Sequence, residues 1–201
     1  MRLTLIRHGI TRGNAQHIYY GATDLPLLPE GEADLRRLAA QGGYPTAPRY
    51  FTSPLFRAEQ TFSILYGDLP HTQVEGLREM NFGDFEMRTL PDDLAKDPAF
   101  LEWCADTTGN RPCPNGESIS QMRQRALDAL APIIQAGEDA VCVIHGVVIT
   151  YLMSHWFPDM IDPSTCTPAP GTGYQIEFNG IKPLGYVPVP DGNHMEEKWW
   201  A

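Results

Sequence analysis

Two histidines in this sequence directly follow short apolar runs. The stretch "LTLIRHG" carries Arg7 and His8 after residues 3–6, and "VCVIHG" carries His145 after a second apolar run. An imidazole can act as a nucleophile, as a proton carrier or as a hydrogen-bond donor, and a guanidinium binds phosphate or carboxylate oxygens in a bidentate manner. If the two runs end at the same place in the fold, these three side chains would form an anion-binding pocket.

The elements that would position these groups alternate along the chain. Apolar runs and helical spacing predict, in order, strand 3–6, helix 29–41, strand 49–53, helix 55–66, helix 118–135, strand 140–144 and helix 146–157. Segments 173–178 and 182–189 predict a final antiparallel pair that turns at Asn179-Gly180. This order predicts an α/β fold, a three-layer α/β/α sandwich on a mostly parallel sheet. In such sheets the ligand crevice lies beyond the carboxyl ends of the strands, which is where both histidines fall.

The composition argues against several classes of protein. Of 201 residues, 42% are hydrophobic and 20% are charged, as in ordinary globular proteins, and this length predicts a single domain spanning 1–201. The formal net charge is −10 and the 15 Lys and Arg residues are spread along the chain, which argues against a nucleic-acid partner. Only the apolar run of residues 3–6 precedes the first Arg-His pair, which leaves no room for the apolar region of a signal peptide, and no later run reaches the length of a membrane span. We therefore expect a cytoplasmic protein without a membrane partner. The oligomeric state is not predicted.

Three further regions carry weaker signals. Between residues 86 and 117 the periodicity fades into a Pro-, Asp- and Gly-rich insertion, for which we predict one or two short helices and a lid-like position. The four cysteines show no Cys-x-x-Cys spacing, so neither disulfides nor a zinc site is expected. Trp199 and Trp200 close the chain and are expected to dock on the core rather than to form a subunit contact or a lid.

The order of short motifs resembles that of the histidine phosphatase superfamily, the phosphoglycerate mutase-like enzymes. The matching segments are, in chain order, "LIRHG", "TRGN", "YYGATDLPL", "TSPLFRAEQT", "LREMNFGDFE", "NGES" and "VIHG". One such segment would be a weak signal, whereas the ordered set from residue 3 to about residue 150 is specific. The resemblance implies the phosphoglycerate mutase-like fold and chemistry on a phosphate ester.

The resemblance also implies a role for each residue of a candidate site. It implies that His8 attacks phosphorus, that Glu79 donates the proton to the leaving group, and that His145 is the second catalytic histidine. The phosphate-binding residues implied in the same way are Arg7, Asn14, Arg57 and His145.

The same residues suit phosphoryl transfer on physical grounds. The guanidinium groups of Arg7 and Arg57 can meet the charge of a phosphate dianion and never lose their protons. These cations would keep His8 neutral, and a hydrogen bond from one ring nitrogen to the backbone would leave the other with a free lone pair. A protonated His145 would stabilise the transition state, and Glu79 with a raised pKa would serve as general acid and later as base for water.

Several alternatives stay open in the sequence. Glu86 and Asp84 lie in the same block as Glu79 and compete with it as proton donor, although the motif order favours Glu79. Paired histidines can bind a metal, but the spacing His-Glu-x-x-His is missing, so no metal and no cofactor are expected. Three positions depart from residues frequent in the family: Ile10, Leu28 and Met87. These departures bear on leaving-group specificity more than on activity.

These features predict a cofactor-independent phosphomonoesterase that acts on a small-molecule phosphate ester and releases inorganic phosphate. Mutases of the family usually carry a basic insertion that binds the substrate carboxylate, whereas this insertion offers only Arg88, Lys96 and Arg111 among several acids, which favours hydrolysis. The compact length and the "YYGATDLPL" block resemble α-ribazole phosphatases and broad-specificity phosphatases. A phosphoglycerate mutase and a non-catalytic phosphate-binding module are the alternatives.

Overall fold

The computed structural model describes residues 1–190 of the chain. Its strands are β1 (Arg2–Arg7), β2 (Ile18–Tyr19), β3 (Arg49–Thr52), β4 (Thr72–Gln73), β5 (Arg88–Thr89), β6 (Ala140–Ile144), β7 (Gly173–Asn179) and β8 (Lys182–Val189). Its α-helices are α1 (Arg12–Ala15), α2 (Pro29–Gln41), α3 (Phe56–Tyr66), α4 (Pro98–Cys104), α5 (Ile119–Gln135) and α6 (Gly146–Trp156). Six strands form one sheet in the order β4-β3-β6-β1-β7-β8, and β2 pairs separately with β5.

The six-stranded sheet is mixed but mostly parallel. Strand β1 pairs in parallel with β6, β6 with β3, and β3 with β4. Strand β7 pairs antiparallel with β1, and β8 pairs antiparallel with β7. Each strand and helix predicted from periodicity is present, and its ends lie within one residue of the predicted ones. The predicted α/β fold is therefore confirmed.

Strand β6 explains why the central strands could be identified from the sequence. All five of its residues are buried. Val141 and Val143 pack with Phe62 of α3 on one face, and Cys142 and Ile144 belong to the core on the other face, which includes residues of α5 and α6. A strand covered by helices on both faces is apolar throughout instead of alternating, as the run "AVCVI" is.

Local chemistry sets where the long helices begin. Ser118 caps α5: its hydroxyl accepts a hydrogen bond from the backbone of Gln121, whose side chain accepts one from the backbone of Ser118. Helix α2 begins with Pro29, which has the fixed φ and the missing N–H that suit a first helical turn. These starts are the ones the sequence predicts.

The short elements around the insertion were not predicted. Strands β2 and β5 have two residues each, and helix α1 has four, so none of them produces a measurable periodicity. Within residues 86–117 the chain forms β5, a 3₁₀ turn at Leu94–Lys96 and helix α4, in line with the expected one or two short helices. The rings of Tyr19 in β2 and Phe100 in α4 lie 5.1 Å apart, so the insertion packs against the segment that follows β1.

Two further expectations concern membrane-spanning helices and the segment with the two final tryptophans. Across residues 1–190, no helix combines the length and the apolar character needed to cross a bilayer. The segment that carries Trp199 and Trp200 lies outside the described residues.

Candidate active site

The carboxyl ends of β1 and β6 bring the two histidines together. Arg7 lies opposite Ile144 in the parallel ladder, so His8 and His145 are the first residues beyond the two strands. Their ring centroids are 5.3 Å apart. Gly146, the residue after His145, leaves room for the guanidinium of Arg7, because a Cβ added there would lie 3.0 Å from Nε of Arg7. The two histidine motifs lie together, as the sequence predicts, because β1 and β6 are parallel neighbours in the sheet.

His8 is held as a neutral imidazole with one free ring nitrogen. Its side chain is buried, and its Nδ1 lies 2.7 Å from the carbonyl oxygen of Gly9, which can only accept a hydrogen bond. Nδ1 therefore carries the proton and Nε2 carries the lone pair. Burial, followed by the positive charges of Arg57 and Arg7, holds the pKa of His8 well below its ordinary value. A buried neutral imidazole with a fixed tautomer has the form required of a nucleophile.

Two buried guanidinium groups stand beside His8. Arg57 is fully buried; its terminal nitrogens donate to the carbonyl oxygens of Thr23 at 3.1 Å and Gly21 at 2.8 Å, and its Cζ lies 4.9 Å from the ring centre of Tyr20. Arg7 donates to the carbonyl oxygen of Pro168 at 2.8 Å. The Nε atoms of both arginines are buried without a hydrogen-bond partner. Buried donors of a cation without partners are costly, and a bound anion would satisfy them.

The two ring nitrogens of His145 have different surroundings. Its Nε2 lies 2.7 Å from Oγ of Ser53, and its Nδ1 is buried without a partner. Burial first, then the charges of Arg57 and the nearby His8 and Arg7, hold the pKa of His145 well below its ordinary value. In the ligand-free protein His145 is therefore neutral, and the positive charge expected of it at the transition state requires the nearby charge of a bound dianion.

The environments of Glu79 and its competitors differ sharply. Glu79 is 7% exposed, and its two carboxyl oxygens accept from the backbone of Met80 at 3.0 Å and of Val147 at 3.2 Å. Burial raises the pKa of Glu79, although these hydrogen bonds and Arg57 oppose the shift. Val147 lies in the first turn of α6, two residues after His145, so the carboxyl group is tied to the second histidine motif. A carboxyl group with a raised pKa at this position is suited to the role of a general acid.

Glu86 and Asp84 are engaged elsewhere. The Glu86 carboxylate accepts from the backbone amides of Gly21, Ala22, Thr23 and Phe82 at 3.0–3.1 Å. The Asp84 carboxylate accepts from the side-chain amide of Asn115 in an exposed position. Their oxygens are committed to structural bonds, which favours Glu79 as the proton donor, as the motif order predicts.

Asn14 lies at the edge of this group. Its Oδ1 accepts hydrogen bonds from the backbone and hydroxyl of Thr11 and from the Tyr20 hydroxyl at 2.9 Å. These bonds cap α1 and orient the Tyr20 ring against Arg57. A direct contact of Asn14 with phosphate stays a prediction.

Sequence reasoning missed several residues that shape the pocket. Ser53, which pairs with His145, is the first residue after β3, so the rule that identified the histidines also applied to it. Thr61 accepts from the backbone of Gly9 at 3.0 Å, and Tyr20 lies against Arg57. No sequence signal identifies these two, because their partners lie on distant segments of the chain.

Comparison with known proteins decides the family. Residues 3–172 match the model of the histidine phosphatase superfamily, branch 1. The chain belongs to this superfamily. It is 31% identical to the adenosylcobalamin/alpha-ribazole phosphatase of Escherichia coli K12 over 159 residues, which cover 77% of this chain and 78% of that protein.

Two further proteins extend the match to nearly the whole chain. The 2,3-bisphosphoglycerate-dependent phosphoglycerate mutase of Cytophaga hutchinsonii is 29% identical in an alignment of 209 positions, gaps included, that covers 94% of each protein. The structure of Bacillus stearothermophilus YhfR matches with a TM-score of 0.81 and 30% identity over 96% of this chain and 97% of that one. The relatives thus include a phosphatase and a mutase, and the resemblance seen in the motifs is confirmed at the level of the superfamily.

Proposed function

We propose that this histidine phosphatase hydrolyses a small-molecule phosphate monoester through a phosphohistidine intermediate on His8. The observation that carries the proposal is the set of buried nitrogens without partners, Nε of Arg7, Nε of Arg57 and Nδ1 of His145, beside a neutral His8. The two arginines supply charge and hydrogen bonds to a phosphate dianion, His145 adds a donor once it is protonated, and His8 supplies the electron pair.

The proposed reaction has two half-reactions. In the first, Nε2 of His8 forms a bond to phosphorus, the bond from phosphorus to the leaving oxygen breaks, and Glu79 transfers its proton to that oxygen. In the second, ionised Glu79 takes a proton from water, whose oxygen attacks phosphorus and releases His8 and inorganic phosphate. Arg7, Arg57 and His145 hold the equatorial oxygens throughout, so catalysis rests on positioning and on charge stabilisation.

The charges of the insertion favour hydrolysis over mutase activity. Arg88 pairs with Asp97 at 2.6 Å, and Arg111 pairs with Glu102. Two of the three basic side chains noted in the insertion therefore already have a carboxylate partner within the protein. The phosphoglycerate mutase alternative stays in view because a mutase is among the relatives.

A substrate screen on the purified protein tests the proposal. We expect release of inorganic phosphate from p-nitrophenyl phosphate and from a subset of alkyl phosphates. α-Ribazole phosphate is included because a relative is named for it. Interconversion of monophosphoglycerates only after priming with bisphosphoglycerate would instead favour the mutase, and tight phosphate binding without turnover would favour a binding module.

Anion binding should be accompanied by proton uptake. Burial and neighbouring cations lower the pKa of His145 in the free protein, and a dianion beside it would raise that pKa and also raise the pKa of Glu79 further. Affinity for sulfate, which does not itself titrate near neutrality, should therefore increase as the pH falls from about 8 to about 6. Calorimetry in two buffers of different ionisation enthalpy measures the uptake. The His145→Asn and Glu79→Gln variants should each lose part of it, and a buffer-independent heat in the wild-type protein contradicts the assignment.

Chelation should leave the rate unchanged. Guanidinium and imidazole groups already meet the charge of the phosphoryl group, which is the task a metal ion performs in other phosphatases. Residues 1–190 contain no cluster of three or more His, Cys, Asp or Glu side chains placed to hold a metal ion. Turnover of p-nitrophenyl phosphate is measured before and after dialysis against EDTA. Loss of activity that magnesium or zinc restores would overturn this expectation.

A further inference from the structure

Glu86 has no part in the proposed chemistry, yet it is the most heavily bonded carboxylate near the site. Its Oε1 accepts from the amides of Gly21, Ala22 and Phe82, and its Oε2 accepts from those of Gly21 and Thr23. Hydrogen bonds from backbone amides to an ionised carboxylate are about twice as strong as those between neutral groups. One side chain thus fixes three consecutive backbone amides of the segment 21–23.

The carbonyl oxygens of that segment hold Arg57. The guanidinium donates to the carbonyl oxygen of Gly21 at 2.8 Å and to that of Thr23 at 3.1 Å. The next residue, Asp24, accepts from the backbone amide of Phe56 at the start of α3, the residue before Arg57. The segment therefore contacts both the arginine side chain and the helix that carries it.

The backbone of the segment 21–23 also packs closely against the backbone that follows Glu79. A Cβ added at Gly21 would lie 1.7 Å from the carbonyl oxygen of Met80, the residue after Glu79. The segment is therefore enclosed between the Glu86 carboxylate, the Met80 backbone and the guanidinium of Arg57. A shift of its amides must shift the carbonyl oxygens that orient Arg57.

We propose that Glu86 is a positioning residue that fixes the phosphate-binding geometry of Arg57 through the segment 21–23. The inference rests on the proposed function for the meaning of Arg57, but it concerns a different residue and a different readout. Arg57 is assigned to the phosphoryl group and not to the leaving group. A change at Glu86 should therefore weaken the binding of every phosphate ester and phosphate analogue to the same degree.

The substitution Glu86→Gln tests this role. A glutamine places an NH₂ group where one oxygen accepted, so at least one amide of the segment then faces a donor and loses its partner. The segment must move, and misplacing a binding group by about 1 Å can change rates by about 10²-fold. We expect the dissociation constant for vanadate and the KM for esters to rise about tenfold or more, with the ratio of alkyl to aryl rates near that of the wild type.

The matched control is Asp139→Asn. The Asp139 carboxylate also accepts from a backbone amide, that of Arg2 at 2.6 Å, and pairs with the Arg2 side chain, but it lies at the opposite end of β1 from the histidines. This acid-to-amide change should lower thermal stability without changing vanadate affinity. If both variants lose stability and neither loses vanadate affinity, Glu86 is a structural residue only and the inference is wrong.

A double-mutant cycle tests the route through Arg57. Vanadate binding to Glu86→Gln, Arg57→Ala and the double variant is measured by calorimetry, which does not require turnover. If Glu86 acts through Arg57, Glu86→Gln should have less than about a twofold effect when Arg57 is absent, and an undiminished effect there overturns the route. Should Glu86→Gln fail to fold, Glu86→Asp draws the same carboxylate back by one methylene while keeping its charge, and it must show the same pattern. Lack of phosphatase activity in the wild type would count against the proposed function, and these binding measurements would still decide the role of Glu86.

Discussion

Replacing His8 with alanine should abolish turnover of phosphate esters, with a loss of about 10⁴-fold or more. The reason is that a covalent route loses its nucleophile, while the buried arginines can still bind the dianion and contribute only positioning. Turnover of p-nitrophenyl phosphate measures the loss, and rapid quench of the wild-type protein with labelled substrate should trap acid-labile, base-stable phosphate on His8. Activity within about tenfold of wild type would contradict the covalent mechanism.

Two measurements distinguish loss of the nucleophile from loss of the fold. The His8 variant should retain a cooperative thermal transition, and it should still bind sulfate, because the donors of Arg7, Arg57 and His145 are not removed. His71→Ala serves as the matched control. His71 pairs with Glu59 at 3.0 Å at the exposed β4 edge of the sheet, so its loss should leave the rate unchanged.

The sequence was sufficient to predict the main strands and helices because burial imposes a period on them. Strand β6 is apolar along its whole length, and α5 carries its buried residues on one face after a capping box. The two-residue strands β2 and β5 impose no such period, since each pairs only with a partner about 70 residues away in the chain. Their positions depend on tertiary contacts such as the packing of Tyr19 on Phe100.

Motif order named His8, Glu79 and His145, which the structure brings together, but it does not predict their protonation states. The lowered pKa of both histidines and the raised pKa of Glu79 follow from burial and from charges on three separate segments. The sequence also left Glu79 and Glu86 as competitors. The structure separates them further, because Glu79 is buried whereas Glu86 is surrounded by backbone amides that strand spacing and helix spacing do not reveal.

The substitution Glu79→Gln should slow alkyl phosphates severely while sparing aryl esters with good leaving groups. An alkoxide needs a proton as it departs, and general acid catalysis typically contributes 10²–10⁴-fold, whereas a nitrophenolate departs with little help. The ratio of alkyl to aryl rates should therefore collapse. Parallel kinetics with an alkyl phosphate and p-nitrophenyl phosphate measure the ratio, and some aryl turnover should remain, limited by the hydrolysis of phosphohistidine, for which Glu79 is also the base.

Stability and two neighbouring carboxylates provide the controls for this last prediction. Burial raises the pKa of Glu79 in the folded protein above its ordinary value of 4.5. Between the ordinary and the raised pKa the folded protein therefore binds more protons than the unfolded chain, and its stability falls as the pH rises through this range. Glutamine removes this dependence, so Glu79→Gln should be no less stable than the wild type near neutrality. Glu86→Gln and Asp84→Asn should leave the alkyl-to-aryl ratio near that of the wild type. If Glu79→Gln slows both esters equally and Glu86→Gln shows the selective loss, Glu86 is the acid and the assignment of Glu79 is wrong.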